Sequence, residues 1–286
     1  MPNLIDIRRR IRSVRNTQQI TKAMKMVSAA KLRRAQDRVI SARPYAAVLH
    51  QMLSNLVGVL AADERLGANP LLAQRPENRI LLLLLTSDRG LAGAFNSNLI
   101  KASQRFLEEH AGAEVTFVLI GRKGRDFYRK RRVPIRAEHI GLFARVDHKQ
   151  AAAIAQDAIE QFRSREVDAV YVVNNEFKSV VAQKLAVSRL LPVEVPGGAR
   201  PADYIFEQPP DQLLEALLPK FVEIEVYRAM LESAAAEHAA RMTAMESATS
   251  NAAEMIDSLT LYLNRVRQAS ITKEIIEVVS GAAAAE

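Results

Sequence analysis

The sequence predicts an α/β domain inserted between two long terminal helices that pair as an antiparallel coiled coil. Three observations carry this. From Asn3 to Arg43 and from Lys220 to Ser280 there is neither Gly nor Pro, runs of 41 and 61 residues in a chain of 286, and breakers that scarce argue for long helices. Both runs carry apolar residues at coiled-coil spacing, and a long helix needs a partner for its apolar face. Between them the period changes to short apolar runs alternating with amphipathic stretches, the pattern of a mostly parallel, Rossmann-like sheet with helical crossovers. The expected divisions are an N-terminal coiled-coil helix over 1–60, an α/β globular domain over 74–208 and a C-terminal coiled-coil helix over 209–286.

In the first helix Leu4, Ile7, Ile11 and Val14 step by 3, 4 and 3, after which the stripe shifts to Ile20, Met24 and Val27 and weakens toward Leu32. Pro44 is expected to kink or end the helix, with Val48–Leu60 as a continuation. In the insert, Arg79–Thr86 reads as a strand buried on both faces, Phe95–Glu109 as a helix and Glu114–Ile120 as a strand. Arg122–Arg131 reads as a basic helix, Gln150–Arg165 as a helix, Ala169–Val173 as a strand and Lys184–Leu191 as one more strand. The linkers Ala61–Asn78 and Pro192–Pro210 are polar or rich in Pro and Gly. In the last helix Asp211 is the expected N-cap and Pro219 a break or restart. The small residues Ala234, Ala235, Ala236, Ala239 and Ala240 allow close approach of helix axes, and Ala252, Ile256, Leu259, Leu263 and Val266 form the seam. At ~1.5 Å per residue the last run reaches roughly 90 Å and the first about 60 Å. The last helix is therefore expected to overhang its partner, with Ile271, Ile275, Ile276, Val278 and Val279 at an end that asks for a socket in another protein.

Composition narrows the function. The chain is 49% apolar and 25% charged, with 5% aromatics and no Trp, as in a soluble globular protein with an aliphatic core. It has no Cys, which excludes disulfides and thiolate metal sites and fits a reducing compartment. The start does not read as a signal peptide, and the longest dense apolar run, Ile80–Leu85, is far too short to cross a bilayer. The net charge of +8 is uneven: residues 1–43 hold 12 Lys/Arg and 2 Asp/Glu, and residues 211–286 hold 6 and 12. A basic helix facing an acidic one suits a complementary pair; the plainer reading is two solvated faces.

No catalytic constellation emerges. Ser87–Gly93 follows the first strand and precedes a helix, where α/β folds often bind phosphates. Neither G-x-x-x-x-G-K-[ST] nor G-x-G-x-x-G occurs, which favours a tight strand-to-helix turn. His50, His110, His139, His148 and His238 are dispersed without ligand spacing, so no metal or other cofactor is expected. The basic residues Arg8, Arg9, Arg10, Arg12, Arg15, Lys22, Lys25, Lys31, Arg33 and Arg34 could neutralise phosphates, but no aromatics interleave with them. A nucleotide-binding α/β enzyme and a basic coiled-coil scaffold for nucleic acid are therefore the alternatives to a structural role.

Several motifs together resemble one family. Asn16–Val27, read as NTQQITKAMKMV and leading to Lys31-Leu32-Arg33, is similar to the gamma subunit of F-type ATP synthase. So are Thr86–Leu91 (TSDRGL), Arg241–Met245 (RMTAM) with Ala248, Thr249 and Asn251, and Asn264–Ile275 (NRVRQASITKEI) continuing through Val279-Ser280-Gly281. The blocks lie at both ends and in the middle, in the family's order. The resemblance implies a central rotor shaft that couples ion-driven rotation of the c-ring to conformational cycling of the catalytic beta subunits, itself without a catalytic site. It implies alpha and beta subunits, the epsilon subunit and the c-ring as partners, no nucleic acid, and membrane association only through the complex, on the cytoplasmic face of a bacterial plasma membrane. It implies that Met24 and Arg241 contact beta, and that Arg267, Gln268, Thr272 and Glu274 contact the ring near its upper end. Two departures matter. Ala92 stands where the family often has Cys, so no essential chemistry resides there, and a chain without Cys cannot carry the chloroplast members' redox switch.

Overall fold

In the computed structural model, residues 4–60, 69–179, 182–194 and 207–283 are described. The elements are α1 (Leu4–Leu60), β1 (Arg79–Leu85), α2 (Phe95–Glu109), β2 (Glu114–Ile120), α3 (Arg122–Tyr128), β3 (Ile135–His139), α4 (His148–Arg163), β4 (Ala169–Phe177), β5 (Gln183–Leu191) and α5 (Pro210–Ala283). Packing divides the chain into two units, Met1–Ser28 with Met242–Glu286, and Ala29–Arg241. Among the described residues no helix is long and apolar enough to cross a membrane.

The unit Met1–Ser28 with Met242–Glu286 is a pair of helical segments. Thr21 Oγ1 lies 2.8 Å from Thr249 Oγ1, and Lys25 pairs with Glu246. As one number rises the other falls, so the segments run antiparallel. Leu4, Ile7, Ile11 and Val14 are the less exposed positions of α1, and Ala252, Ile256, Leu259, Leu263 and Val266 those of α5, which is the expected seam. The middle of the seam departs from expectation. It does not shift to Ile20 and Val27, which are 60% and 57% exposed. It continues in heptad phase through Gln18, Thr21, Lys25 and Ser28, with Thr21 and Ser28 buried. Thr and Ser side chains here satisfy their hydroxyls on backbone carbonyls, Thr21 on Gln18 and Ser28 on Met24, so helix phase decides burial and polarity does not. Charge complementarity takes the form of the Lys25–Glu246 pair, while Arg8, Arg9, Arg10, Arg12 and Arg15 lie on the exposed side.

The unit Ala29–Arg241 holds the α/β fold. Its sheet has the order β3-β2-β1-β4-β5, with β5 antiparallel to β4 and all other pairs parallel. Six of the seven β1 residues, Ile80 to Leu85, are 0% exposed, as a central strand covered on both faces requires. Ile80, Leu82 and Leu84 meet Phe95, Leu99 and Phe106 of α2 and Tyr128 of α3 in one core. Because the chain steps from β1 to β2 to β3 in one direction and then returns past β1 to β4, right-handed crossovers put α2 and α3 on one face and α4 on the other.

Three further expectations are corrected. α1 runs through Pro44 and α5 through Pro219. A proline removes one donor and frees the carbonyl four residues earlier; here those carbonyls belong to Ile40 and Glu215, both exposed, so water can take them and packing holds the helix. Asp211 is not the N-cap, because α5 begins at Pro210 and Asp211 lies in its first turn, where a carboxylate still meets the helix dipole favourably. β3 was not anticipated: it is a five-residue edge strand of partly buried, charge-bearing sequence, a device that blunts a sheet edge and hides the strand signal.

Candidate functional site

In an open parallel sheet, ligands bind outside the carboxyl ends of the strands where the strand order reverses. Here that point lies between β1 and β4. The residues there are Thr86 to Gly93 after β1, Asn174 and Asn175 near the end of β4, and the starts of α2 and α3.

The donors that a phosphate would need are already used by the chain. At the start of α3, Arg122 N donates to the Asp88 carboxylate (3.1 Å), Lys123 N to the Ser87 carbonyl (3.0 Å) and Gly124 N to Thr86 Oγ1 (2.8 Å). Asp88 also accepts from Gly141 N (3.1 Å), and Ser87 N donates to Asn96 Oδ1 (2.9 Å). Gly121, at φ +103°, lets this turn pass directly against Thr86. Asp88 therefore ties two loops together and does not stand ready for a metal. Among the described residues no group of His, Asp and Glu could hold one.

The crevice itself is filled by α5. On the α4 side, Gln156 Nε2 donates to Glu223 (3.1 Å) and His148 stacks edge-on against Tyr227. Farther along α5, Asn175 N of β4 donates to Ser233 Oγ (3.3 Å), and Ala236 and Ala240 reach the core between β1 and α2. α5 thus crosses the ends of β4 and β1 from one face of the sheet to the other. Ala234, Ala235, Ala236 and Ala239 are at most 5% exposed; the alanines expected to allow close helix approach let the backbone of α5 settle on the strand ends.

At the far side of this contact, Arg241 Nε and Nη2 donate to the Gly90 carbonyl (3.4 and 3.3 Å) and Nη2 to the Arg89 carbonyl (3.3 Å). Nη2 also pairs with Glu237 Oε1 at 2.7 Å. Burial pushes the Glu237 carboxyl up, and the Arg241 guanidinium opposes that shift. His238 beside them is held neutral: burial, then Arg241 and Lys31, lower its pKa to about 4.

Arg241 is 8% exposed, with its guanidinium engaged by Glu237 and by the Arg89 and Gly90 carbonyls. Met24 is half-buried on α1, and Arg267, Gln268, Thr272 and Glu274 are exposed on α5. Thr272 Oγ1 donates back to the Gln268 carbonyl (2.9 Å) and Ser270 Oγ to Glu274 Oε1 (3.3 Å). Ile271, Ile275, Ile276, Val278 and Val279 are 45–72% exposed, an apolar run without cover from this chain. A cleft of about 680 Å³ between α1, α5 and the β4–β5 edge is lined by charges that pair among themselves, Arg228 with Glu225 and Arg189 with Glu194.

Sequence reasoning missed the roles of Glu237 and Arg241. The available signal was an acid and a base at i, i+4 inside a run of alanines, a place with little solvated surface to receive them.

Comparison with known proteins agrees with this geometry. A sequence profile of the family described as ATP synthase matches residues 3–285. The ATP synthase gamma chain of Solibacter usitatus is 70% identical over 286 residues, covering all of both chains. That of an Anaeromyxobacter species is 53% identical over 289 residues, covering 99% of each. The solved central stalk and c-ring of the Tetrahymena thermophila mitochondrial ATP synthase contains a chain of TM-score 0.62 and 26% identity, aligned over 80% of this chain and 99% of that one. Neither the nucleotide-enzyme nor the nucleic-acid reading finds support. By matched length and identity, the chain belongs to the gamma-chain family of ATP synthase.

Proposed function

We propose that this chain is the central rotor shaft of an F-type ATP synthase, a non-catalytic subunit that couples ion-driven rotation of the c-ring to conformational cycling of the beta subunits. The observation that carries the reading is the pairing of full-length kinship with a crevice closed by the chain's own helix. The α/β fold has surrendered the place where it would take a substrate, and the polar groups there are committed to contacts within the chain, with α3 as well as α5.

Under this reading the chain has three functional parts, residues 1–60, 74–208 and 209–286. The terminal helices contact the alpha and beta ring, and the α/β part lies beside the epsilon subunit and the c-ring. Met24 on one helix, and Arg267, Gln268, Thr272 and Glu274 on the other, contact the ring. The aliphatic run Ile271–Val279 acts as a bearing, since apolar contact lacks the orientation-specific ion pairs that are costly to break. A strong contact in one orientation would trap the rotor, because differential affinity sets the shift in a conformational equilibrium. The complex sits on the cytoplasmic face of a bacterial plasma membrane, and this chain meets the membrane only through it.

Reconstitution with alpha and beta subunits of the same source tests the proposal. The expected product is a discrete complex with one copy of this chain per three alpha–beta pairs and ATPase activity that depends on it. Failure to assemble, with ATP or nucleic acid bound by the chain alone, would sink it.

A further inference from the structure

We infer that Arg241 and Glu237 are positioning residues, a buried clasp through which α5 holds the Ser87–Gly93 turn rigid on the surface of the shaft. Leu91 in that turn has φ +62° and is 64% exposed. A left-handed backbone at a leucine is strained, and such strain persists only where the surroundings over-determine it. The surroundings here do so from three sides. Ser87 Oγ donates to the Arg89 carbonyl at 2.6 Å, Asp88 accepts from the amides of Arg122 and Gly141, and the Arg241 fork donates to the carbonyls of Arg89 and Gly90. The first two contacts lie within the α/β fold. Only the third joins the turn to α5.

The chemistry of the clasp matches this role better than a role in stability. A buried ion pair is weak evidence for net stabilisation, because desolvation offsets the attraction. The side chains of Arg241 and Glu237 are 10% and 7% exposed. What the pair supplies is geometry. Glu237, one helical turn earlier, fixes the guanidinium plane, and the planar fork then reaches two successive carbonyls, which a lysine ammonium does not reproduce. In the rotor, torque passing along α5 reaches the turn without slack. This last step rests on the shaft reading; the clasp itself does not.

The test uses the assembled complex with Arg241→Lys, which keeps the charge and loses the fork. A second variant combines Glu237→Arg with Arg241→Glu, which keeps an i, i+4 ion pair but points a carboxylate at the two carbonyls. Amide hydrogen exchange over residues 87–93 should quicken by about 10- to 100-fold in both, the opening expected when charge-assisted hydrogen bonds are lost. Exchange in β1 and β4 should stay as in the unaltered chain. ATP hydrolysis should be retained while protons pumped per ATP fall. Unchanged exchange in the turn, restoration by the swapped pair, or equal quickening in β1 and β4 would each overturn the clasp. A loosened turn with unchanged pumping would overturn its part in coupling. If the swapped pair does not assemble, Arg241→Lys decides alone. The unaltered chain in the same assay reports separately on the shaft reading, through chain-dependent ATPase.

Discussion

Replacing Gly121 by Ala should destabilise the α/β unit severely, and the cost can be worked from the geometry. Gly121 sits at φ +103° and ψ 145°, a region almost confined to glycine. A Cβ there would lie 1.9 Å from the Thr86 carbonyl oxygen and 2.6 Å from its carbon. A close C···O contact needs roughly 3.3 Å, so backbone must move by more than an ångström. That movement pulls on Thr86 N to the Ile120 carbonyl (2.7 Å), Gly121 N to the His139 carbonyl (2.8 Å) and Gly124 N to Thr86 Oγ1 (2.8 Å). Strain of about 1–3 kcal/mol and one lost buried hydrogen bond of about 1–3 kcal/mol give a total of about 2–6 kcal/mol. That is a large share of the roughly 5–15 kcal/mol that stabilises a domain. Gly112→Ala is the control, because a Cβ there meets nothing within 4 Å, and its effect should stay within about 0.5 kcal/mol. Urea unfolding of the purified chain can be followed through tyrosine, since the chain has no Trp and Tyr128 is 1% exposed in the core. If Gly121→Ala costs less than about 1 kcal/mol, or no more than the control, the close approach of the two strand ends does not constrain this fold as argued.

Thr21→Val and Thr249→Val should each weaken the paired helices, with a coupling of about 0.5–1 kcal/mol in a double-mutant cycle for their shared hydrogen bond; additive effects would show that the two hydroxyls act independently. His238 should make stability pH-dependent. Its folded pKa is depressed, so on acidification the unfolded chain binds the proton first, and the contribution present above pH 6.5 drains as pH falls toward about 4. At ~1.4 kcal/mol per pH unit the loss is at most about 3 kcal/mol, less for whatever solvent screens the ring. His238→Asn should flatten the urea midpoint in that window, and an unaltered pH profile would contradict the assignment. Met24→Lys should weaken coupling while leaving ATP hydrolysis largely intact; unchanged proton pumping per ATP in the variant would remove Met24 from the coupling contacts.

What the sequence revealed followed physical signal strength. β1 was legible because a central strand is apolar without interruption, and α2 and α4 because their apolar stripes repeat at helical spacing. β3 was not, since an edge strand needs little apolar surface and Ile135–His139 carries Arg136, Glu138 and His139. Pro44 and Pro219 were read as breaks from a local rule that long-range packing overrode. The middle of the helix pair misled for a related reason. Ile20 and Val27 looked like seam by polarity, but the phase set by Leu4–Val14 and by Leu32 put Thr21 and Ser28 inside instead. The exposed residues of the contact set, Arg267 to Glu274, came from kinship alone, as nothing in local periodicity marks an outward polar residue as a contact.

The closed crevice bears on how an α/β domain should be read when no ligand motif is found. Missing glycine fingerprints leave two possibilities, an unfamiliar site or no site. Here the donors decide between them: the first three amides of α3 end on Asp88, Ser87 and Thr86. An anion entering the crevice would have to displace all three and lift Ala236 and Ala240 from the core. Displacing the second and third would leave the Ser87 carbonyl and the Thr86 hydroxyl, both on buried residues, without their partners, at roughly 1–3 kcal/mol apiece. Ligand binding would then act against the contact that joins α5 to the sheet. Within the Ala29–Arg241 unit, the same topology that elsewhere admits a nucleotide instead seats the part of α5 up to Arg241, and Ala236 and Ala240 fill the core there.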